Sequence, residues 1–182
     1  MTVRTSSKDP AGTNSRFPEG KPTREQLVEL LNSDLRREYQ AIIAYVVYSQ
    51  VMKGAAYMNI AAELEKHAGE ELQHAIIIAK QIDYLGGDPA VEPMPVHPSG
   101  DAQEMLRLDL DNETETIKHY RQRVRQCEAM GEFAMAEHIR DILMDEQDHQ
   151  IALATALGIE VPEMSNEPET LAGDWHTAKP GG

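Results

Sequence analysis

Residues 70–74 read EELQH and residues 145–149 read DEQDH. Both lie in long runs whose apolar residues recur at steps of three and four, the pattern of a helix with one face turned to a core. Glu71 with His74, and Glu146 with His149, fall on that core-facing stripe, where an aliphatic side chain is the ordinary occupant. What these two stretches are doing there decides both the fold and the chemistry.

Followed outward, the stripe of the second run is Ile60, Leu64, His67, Glu71, His74, Ile78, Ile82 and Leu85. That of the fourth is Met135, Ile139, Ile142, Glu146, His149, Leu153 and Leu157. A first run gives Leu31, Leu35, Glu38, Ile42 and Tyr45, and a third gives Leu106, Leu110, Glu113, Ile117, Tyr120 and Val124. Each stripe carries one glutamate. Glu38 and Glu71 are 71 − 38 = 33 residues apart and Glu113 and Glu146 are 146 − 113 = 33 apart, so the chain reads as two copies of one helical hairpin.

The boundaries agree with four helices. Thr23 opens TREQ, a capping box, and predicts a helix from there to about Lys53, before Gly54. A second runs from about Ala55 to Leu85, where Gly86 or Gly87 can adopt the left-handed cap and Pro89 forbids continuation. Asp101 and Glu104 form another capping box before a third helix over 102 to about 130, and Gly131 separates it from a fourth over about 132 to 157. Tight turns make each pair an antiparallel hairpin. The middle link, 86–100, holds four prolines. A 30-residue helix is about 45 Å long and 15 extended residues reach roughly 50 Å, so this link can return along the whole bundle. The expected fold is all-α, a four-helix bundle with one long crossover between helices two and three.

Composition sets the outer limits. The chain has 182 residues, a single-domain length, and only 5% aromatics. Its formal net charge of −14 argues against nucleic acid or an anionic membrane as partner and favours cations. With Cys127 as the single cysteine, neither an intrachain disulfide nor a thiolate metal site can form. No apolar leader core or run of eighteen apolar residues is present, so a cytoplasmic, soluble protein is expected. Residues 1–22 read as a disordered arm, 23–158 as the bundle and 159–182 as a polar tail with Trp175 as its one docking residue.

An unpaired buried carboxylate has an effective cost of several kcal/mol, and four together also repel one another. No Lys or Arg lies on the stripes near the glutamates, so the compensating charge has to come from outside the chain. Two divalent ions supply +4 against −4, and two trivalent ions with a bridging oxide sum to the same +4. Carboxylate with imidazole suits Fe, with Mn as the alternative. Glu71 and Glu146 are expected to bridge, Glu38 and Glu113 to be terminal, and His74 and His149 to cap one metal each. Tyr45 and Tyr120, each seven residues beyond a terminal glutamate, are candidates for hydrogen bonds to the carboxylates. His67 is expected to support the site rather than ligate. His97, His119, His138 and His176 fall off the stripes, and Glu63, Glu70 and Asp148 on polar faces or the lining of a cage.

The set of Glu38, Glu71, His74, Glu113, Glu146 and His149, with DAQEMLRLDLDNE entering helix three and ILMDEQDH in helix four, resembles the ferritin-like superfamily, bacterioferritin most closely, over residues 24–158. The resemblance implies that these six residues are ferroxidase ligands. In bacterioferritin a methionine follows the bridging glutamate of helix two and binds haem; here that position is Leu72, so haem is not expected. No counterpart of the short fifth helix of the 24-subunit shell follows Gly158, which points to a cage of 12 or a dimer as alternatives to 24.

The leading expectation is a di-iron ferroxidase that oxidises Fe(II) with O2 or H2O2 for iron storage or detoxification. The alternatives are a rubrerythrin-like di-iron peroxidase, a di-manganese catalase, and a non-catalytic helical interaction protein with a structural metal.

Overall fold

The computed structural model describes residues 21–163. Among them are four α-helices, α1 (Arg24–Val51), α2 (Met58–Tyr84), α3 (Ala102–Met130) and α4 (Phe133–Leu157), and no strand. No described helix is long and apolar enough to cross a membrane. The readings of the arm and tail, Trp175 and His176 included, lie outside the described residues except at 21–22 and 159–163.

Local chemistry sets the helix ends. Thr23 accepts from the Gln26 backbone N–H while the Gln26 side chain accepts from the Thr23 N–H, a complete capping box. At Asp101 the box is only half made. Asp101 accepts from the Glu104 N–H, but Ser99 Oγ, not Glu104, accepts from the Asp101 N–H, and it donates to Glu104 Oε2. The second helix also begins later than its periodicity suggests, because Ala55–Tyr57 forms a turn of 3-10 helix first. After α2 the left-handed residue is Gly86, with φ of 78°. Gly87 serves packing instead, since a Cβ there would lie 2.4 Å from Val28 Cγ1.

The crossover is pinned to α1 along its length. Asn32 donates to the Asp88 carbonyl and accepts from the Ala90 N–H, the Met94 N–H reaches the Arg36 carbonyl, Gln40 donates to the Pro95 carbonyl, and Tyr48 Oη bonds the His97 carbonyl. The link therefore runs from the start of α1 toward its end and delivers α3 at the far end of the bundle. Neighbouring helices are antiparallel throughout: Asp34 meets Arg123 and Tyr45 meets Glu113 between α1 and α3, while Glu70 meets His149 and His74 meets Asp145 between α2 and α4.

The apolar core falls into two clusters. One, around Leu27, Leu31, Leu35, Ile78, Ile82 and Ile139, fills one end; the other, around Tyr48, Leu64, Met105, Leu106 and Leu153, fills the opposite end. The four glutamates lie in the layer between them, sealed from water on both sides.

Among the described residues one arginine, and no lysine, is buried. Arg123 is 1% exposed and grips Asp34, also 1% exposed, with Nε–Oδ2 2.6 Å and Nη2–Oδ1 3.0 Å. Removing one partner of such a pair strands the other, which typically costs about 3–5 kcal/mol, whereas replacing both with apolar side chains is nearly neutral. Arg123→Met is expected to lose stability of that order in urea unfolding, and Asp34→Leu with Arg123→Met to recover most of it.

Candidate metal centre

Each of the six side chains picked out on the stripes enters one layer. Glu38, Glu71, His74, Glu113, Glu146 and His149 are all buried, none more than 2% exposed. One group, Glu38, Glu71, His74 and Glu146, brings one ligand atom from each residue within 4.8 Å of the others. A second, Glu71, Glu113, Glu146 and His149, does the same, so Glu71 and Glu146 belong to both. The imidazoles aim Nδ1 inward: His74 Nδ1 lies 3.2 Å from Glu71, 3.3 Å from Glu146 and 3.4 Å from Glu38. His149 Nδ1 lies 3.0 Å from Glu71, 3.6 Å from Glu146 and 3.8 Å from Glu113.

The donor set fits two metal ions by its unmet valence. Glu38 Oε2, Glu71 Oε1, Glu146 Oε1 and His149 Nδ1 are buried with no well-aligned hydrogen bond, only close approaches to one another or to His74 Nδ1. Buried polar atoms are rarely left so, and here they converge on the two shared volumes. Among the described residues no Lys or Arg pairs with these glutamates, since Arg123 is committed to Asp34.

Without metal, protons supply the balancing charge. Burial, reinforced by the Glu71 and Glu146 charges, pushes Glu38 well above the usual carboxylate range, and burial with the Glu146 and Glu71 charges does the same to Glu113. Burial opposes ionisation of Glu71 and Glu146 too, but it is outweighed, for Glu71 by the close His149 and His74 imidazoles and for Glu146 by the Glu113 carboxyl and then the same imidazoles, so both carboxyls are held low. Burial likewise works against charged imidazoles, yet the carboxylates raise His74 strongly and His149 to about 10. In the metal-free layer the shifts run in opposite senses: Glu38 and Glu113 are pushed toward their neutral forms, while Glu71, Glu146 and both imidazoles are held toward their charged ones.

A supporting ring surrounds the layer. Tyr45 Oη donates to Glu113 and Tyr120 Oη to Glu38, each across the bundle. On the far side of each imidazole sits a carboxylate of the opposite helix: His74 Nε2 is 3.1 Å from Asp145 Oδ2, and His149 Nε2 is 3.1 Å from Glu70 Oε2. Such a bond fixes the tautomer that leaves Nδ1 free to ligate. Reading Glu70 as polar-face decoration is thus corrected, and Asp145 was missed. The available signal was their repeat, each directly preceding the shared glutamate, at 145 − 70 = 75 residues' separation.

His67 stacks on His149, ring centroids 4.0 Å apart, and burial together with His149 pushes its pKa down to about 4. It belongs to neither four-residue group. His119 is half-buried rather than solvated, and burial pushes it to about 4. Asp109 is 2% exposed, and burial, aided by the Glu71 charge, raises it well above the carboxylate range.

Comparison with known proteins places this geometry. A Ferritin-like domain family model matches residues 28–159. The chain is 27% identical to the bacterioferritin of Rhodobacter capsulatus over 135 residues, 74% of this chain and 84% of that one. Among solved structures it is similar to a ferritin-like diiron-carboxylate protein from Bacillus anthracis, with TM-score 0.71, 32% identity and coverage of 74% of this chain and 96% of that one. It is also similar to the dodecameric thioferritin of Bacteroides fragilis, a bacterioferritin-related protein, with TM-score 0.70, 25% identity and coverage of 75% and 86%.

Loading the metal-free protein with divalent ions at pH 7 is expected to release protons, because each ligand must be deprotonated to bind. Calorimetry in buffers of different ionisation enthalpy measures this. The stability that protonated His149 contributes is fully present below about 6.5, its ordinary value, and lost as pH rises through about 10. Thermal unfolding of the metal-free protein is accordingly expected at falling temperature across that window, with the metal-loaded protein much flatter.

Proposed function

The chain belongs to the ferritin-like domain family, and on that premise we propose that it is a di-iron ferroxidase, oxidising Fe(II) for iron storage or detoxification. The observation that carries this reading is the pair of four-residue groups sharing Glu71 and Glu146 in a layer without lysine or arginine. In this reading Glu38, Glu71, His74 and Glu146 hold one iron, and Glu71, Glu113, Glu146 and His149 hold the other. Fe(II) is the substrate, each ion giving one electron to O2 or H2O2.

The protein's part is to bind, orient and exclude water. The two apolar clusters close the layer at both ends, and Glu70 and Asp145 hold the imidazoles in their ligating tautomer. Tyr45 and Tyr120 sit on the terminal carboxylates, where a phenol O–H can give a proton to oxygen being reduced. The pair of phenols favours peroxide as an oxidant and keeps peroxidase chemistry as the second reading. Mn is the alternative metal for that chemistry, as in a di-manganese catalase.

Self-association is part of the proposal. Ile43, Val46, Val47 and Val51 of α1 and Leu72 and Ile76 of α2 are each 40–54% exposed. Their spacing puts each helix's set on one side of that helix, and exposed apolar faces of this kind suit contact with a second copy. Leu72 is among them, and its alkyl side chain has no lone pair for haem iron. Residues 23–158 form the proposed ferroxidase bundle, acting in the cytoplasm.

Glu38→Ala removes a terminal ligand and is expected to abolish rapid aerobic Fe(II) oxidation in stopped-flow absorbance; unchanged kinetics contradict the assignment. Aerobic loading followed by size-exclusion chromatography checks the storage role. Iron well beyond two per chain on a large closed oligomer supports it, and iron held at about two on a small oligomer favours the peroxidase reading.

A further inference from the structure

Between α3 and α4 lies a groove of about 500 Å³, lined by the apolar side chains of Val124, Leu143 and Met144 and by Arg121, Arg125 and Arg140. Glu128 is the single acid of the lining, so the groove's formal charge is 3 − 1 = +2 on a chain whose net charge is −14. Arg140 is committed to Glu137, with Nη1–Oε1 2.7 Å, and to Glu128. Among the described residues Arg121 and Arg125 have no ion-pair partner. They stand four residues apart on α3, the spacing that sets two helical side chains next to each other. Met144, in the same lining, is 59% exposed. Uncommitted guanidiniums over an exposed apolar surface suit an acidic segment that also carries an aromatic anchor.

Residues 164–175, outside the described residues, have that composition. They read MSNEPETLAGDW, with Glu167, Glu169 and Asp174 as acids, Trp175 as the aromatic and no Lys or Arg, a charge of −3. We propose that residues 167–175 occupy the groove of their own chain, the acids on Arg121 and Arg125 and Trp175 on the apolar lining. The length of chain permits it. Met144 lies 157 − 144 = 13 residues before the end of α4, about 20 Å along its axis, while the ten residues from Leu157 to Glu167 span up to about 33 Å when extended.

Exposed ion pairs contribute little singly, so the aromatic anchor is needed to fix the segment. An indole on this lining meets the Met144 thioether and a guanidinium at the rim, and both are favourable neighbours of an aromatic ring. Tethering supplies the rest, since a short linker gives an effective concentration on the order of millimolar. That advantage favours the chain's own segment over a free acidic partner. The proposal is independent of the metal reading.

Trp175 is the single tryptophan, so selectively excited indole fluorescence of the full-length protein reports on this segment alone. In the unaltered protein its emission is expected to be blue-shifted, and its quenching by acrylamide severalfold weaker than that of N-acetyltryptophanamide. Arg121→Glu with Arg125→Glu should move the emission to the red and raise quenching severalfold. Arg107→Glu with Lys80→Glu, the same change of charge away from the groove, should do neither. Adding Glu167→Arg and Glu169→Arg to the groove variant should restore the shielding. When the groove variant is co-expressed with a Trp175→Phe chain whose groove is intact, Trp175 should stay exposed. A solvent-exposed Trp175 in the unaltered protein, shielding that survives reversal of both arginines, or shielding not restored by reversing the acids overturns the proposal. Recovered shielding in the co-expressed mixture assigns the groove to the segment of a second copy and overturns the in-chain proposal equally.

Discussion

Four glutamates and two histidines share one buried layer, and everything else in the molecule is arranged around neutralising their charge. In a sealed interior an uncompensated carboxylate has an effective cost of several kcal/mol. Within the layer burial pushes Glu38 and Glu113 toward their neutral forms, and the surrounding carboxylates hold His74 and His149 toward their charged ones. In the proposed di-metal reading, two divalent ions would supply the charge that the four glutamates need. The apolar clusters at both ends make the constraint strict, because they remove the water that would otherwise screen it.

The two helical hairpins build this layer by near-repetition. Shared glutamate, imidazole, terminal glutamate, tyrosine and supporting carboxylate recur 75 residues later, as Glu71 and Glu146, His74 and His149, Glu38 and Glu113, Tyr45 and Tyr120, and Glu70 and Asp145. Antiparallel packing makes the halves depend on each other, since each tyrosine and each supporting carboxylate serves a ligand of the opposite hairpin. The repetition breaks at its edge. Asp34 is held by Arg123, but the residue 75 before Arg123 is Tyr48, so the equivalent Asp109 has no such cation and is held toward its neutral form. His67 also has no counterpart in the repeat, since the residue 75 positions later is Ile142.

The fold and the six side chains that meet in the layer were legible because both are written in periodicity. A glutamate on an apolar stripe conflicts with its surroundings, and Glu38, Glu71, Glu113 and Glu146 do so at matching intervals. What escaped depends on register between helices, which one helix's pattern does not contain. Glu70 sits one residue, about 100° around the helix, from Glu71 and reads as polar surface until α4 places His149 against it. Asp34 and Arg123 look like unrelated polar residues until α1 and α3 bring them together at 2.6 Å. The Asp101 capping box is only half made for a local reason, because Ser99 takes the bond that Glu104 was expected to make.

The central claim is that this buried carboxylate layer exists to hold two metal ions side by side. A crystal structure of the protein loaded anaerobically with Fe(II), with anomalous maps at the iron edge, addresses it directly. The account predicts two peaks about 3.5–4 Å apart, both touching Glu71 and Glu146, one facing Glu38 and His74 and the other Glu113 and His149. A layer without peaks, or a single ion on one side of it, would contradict the claim.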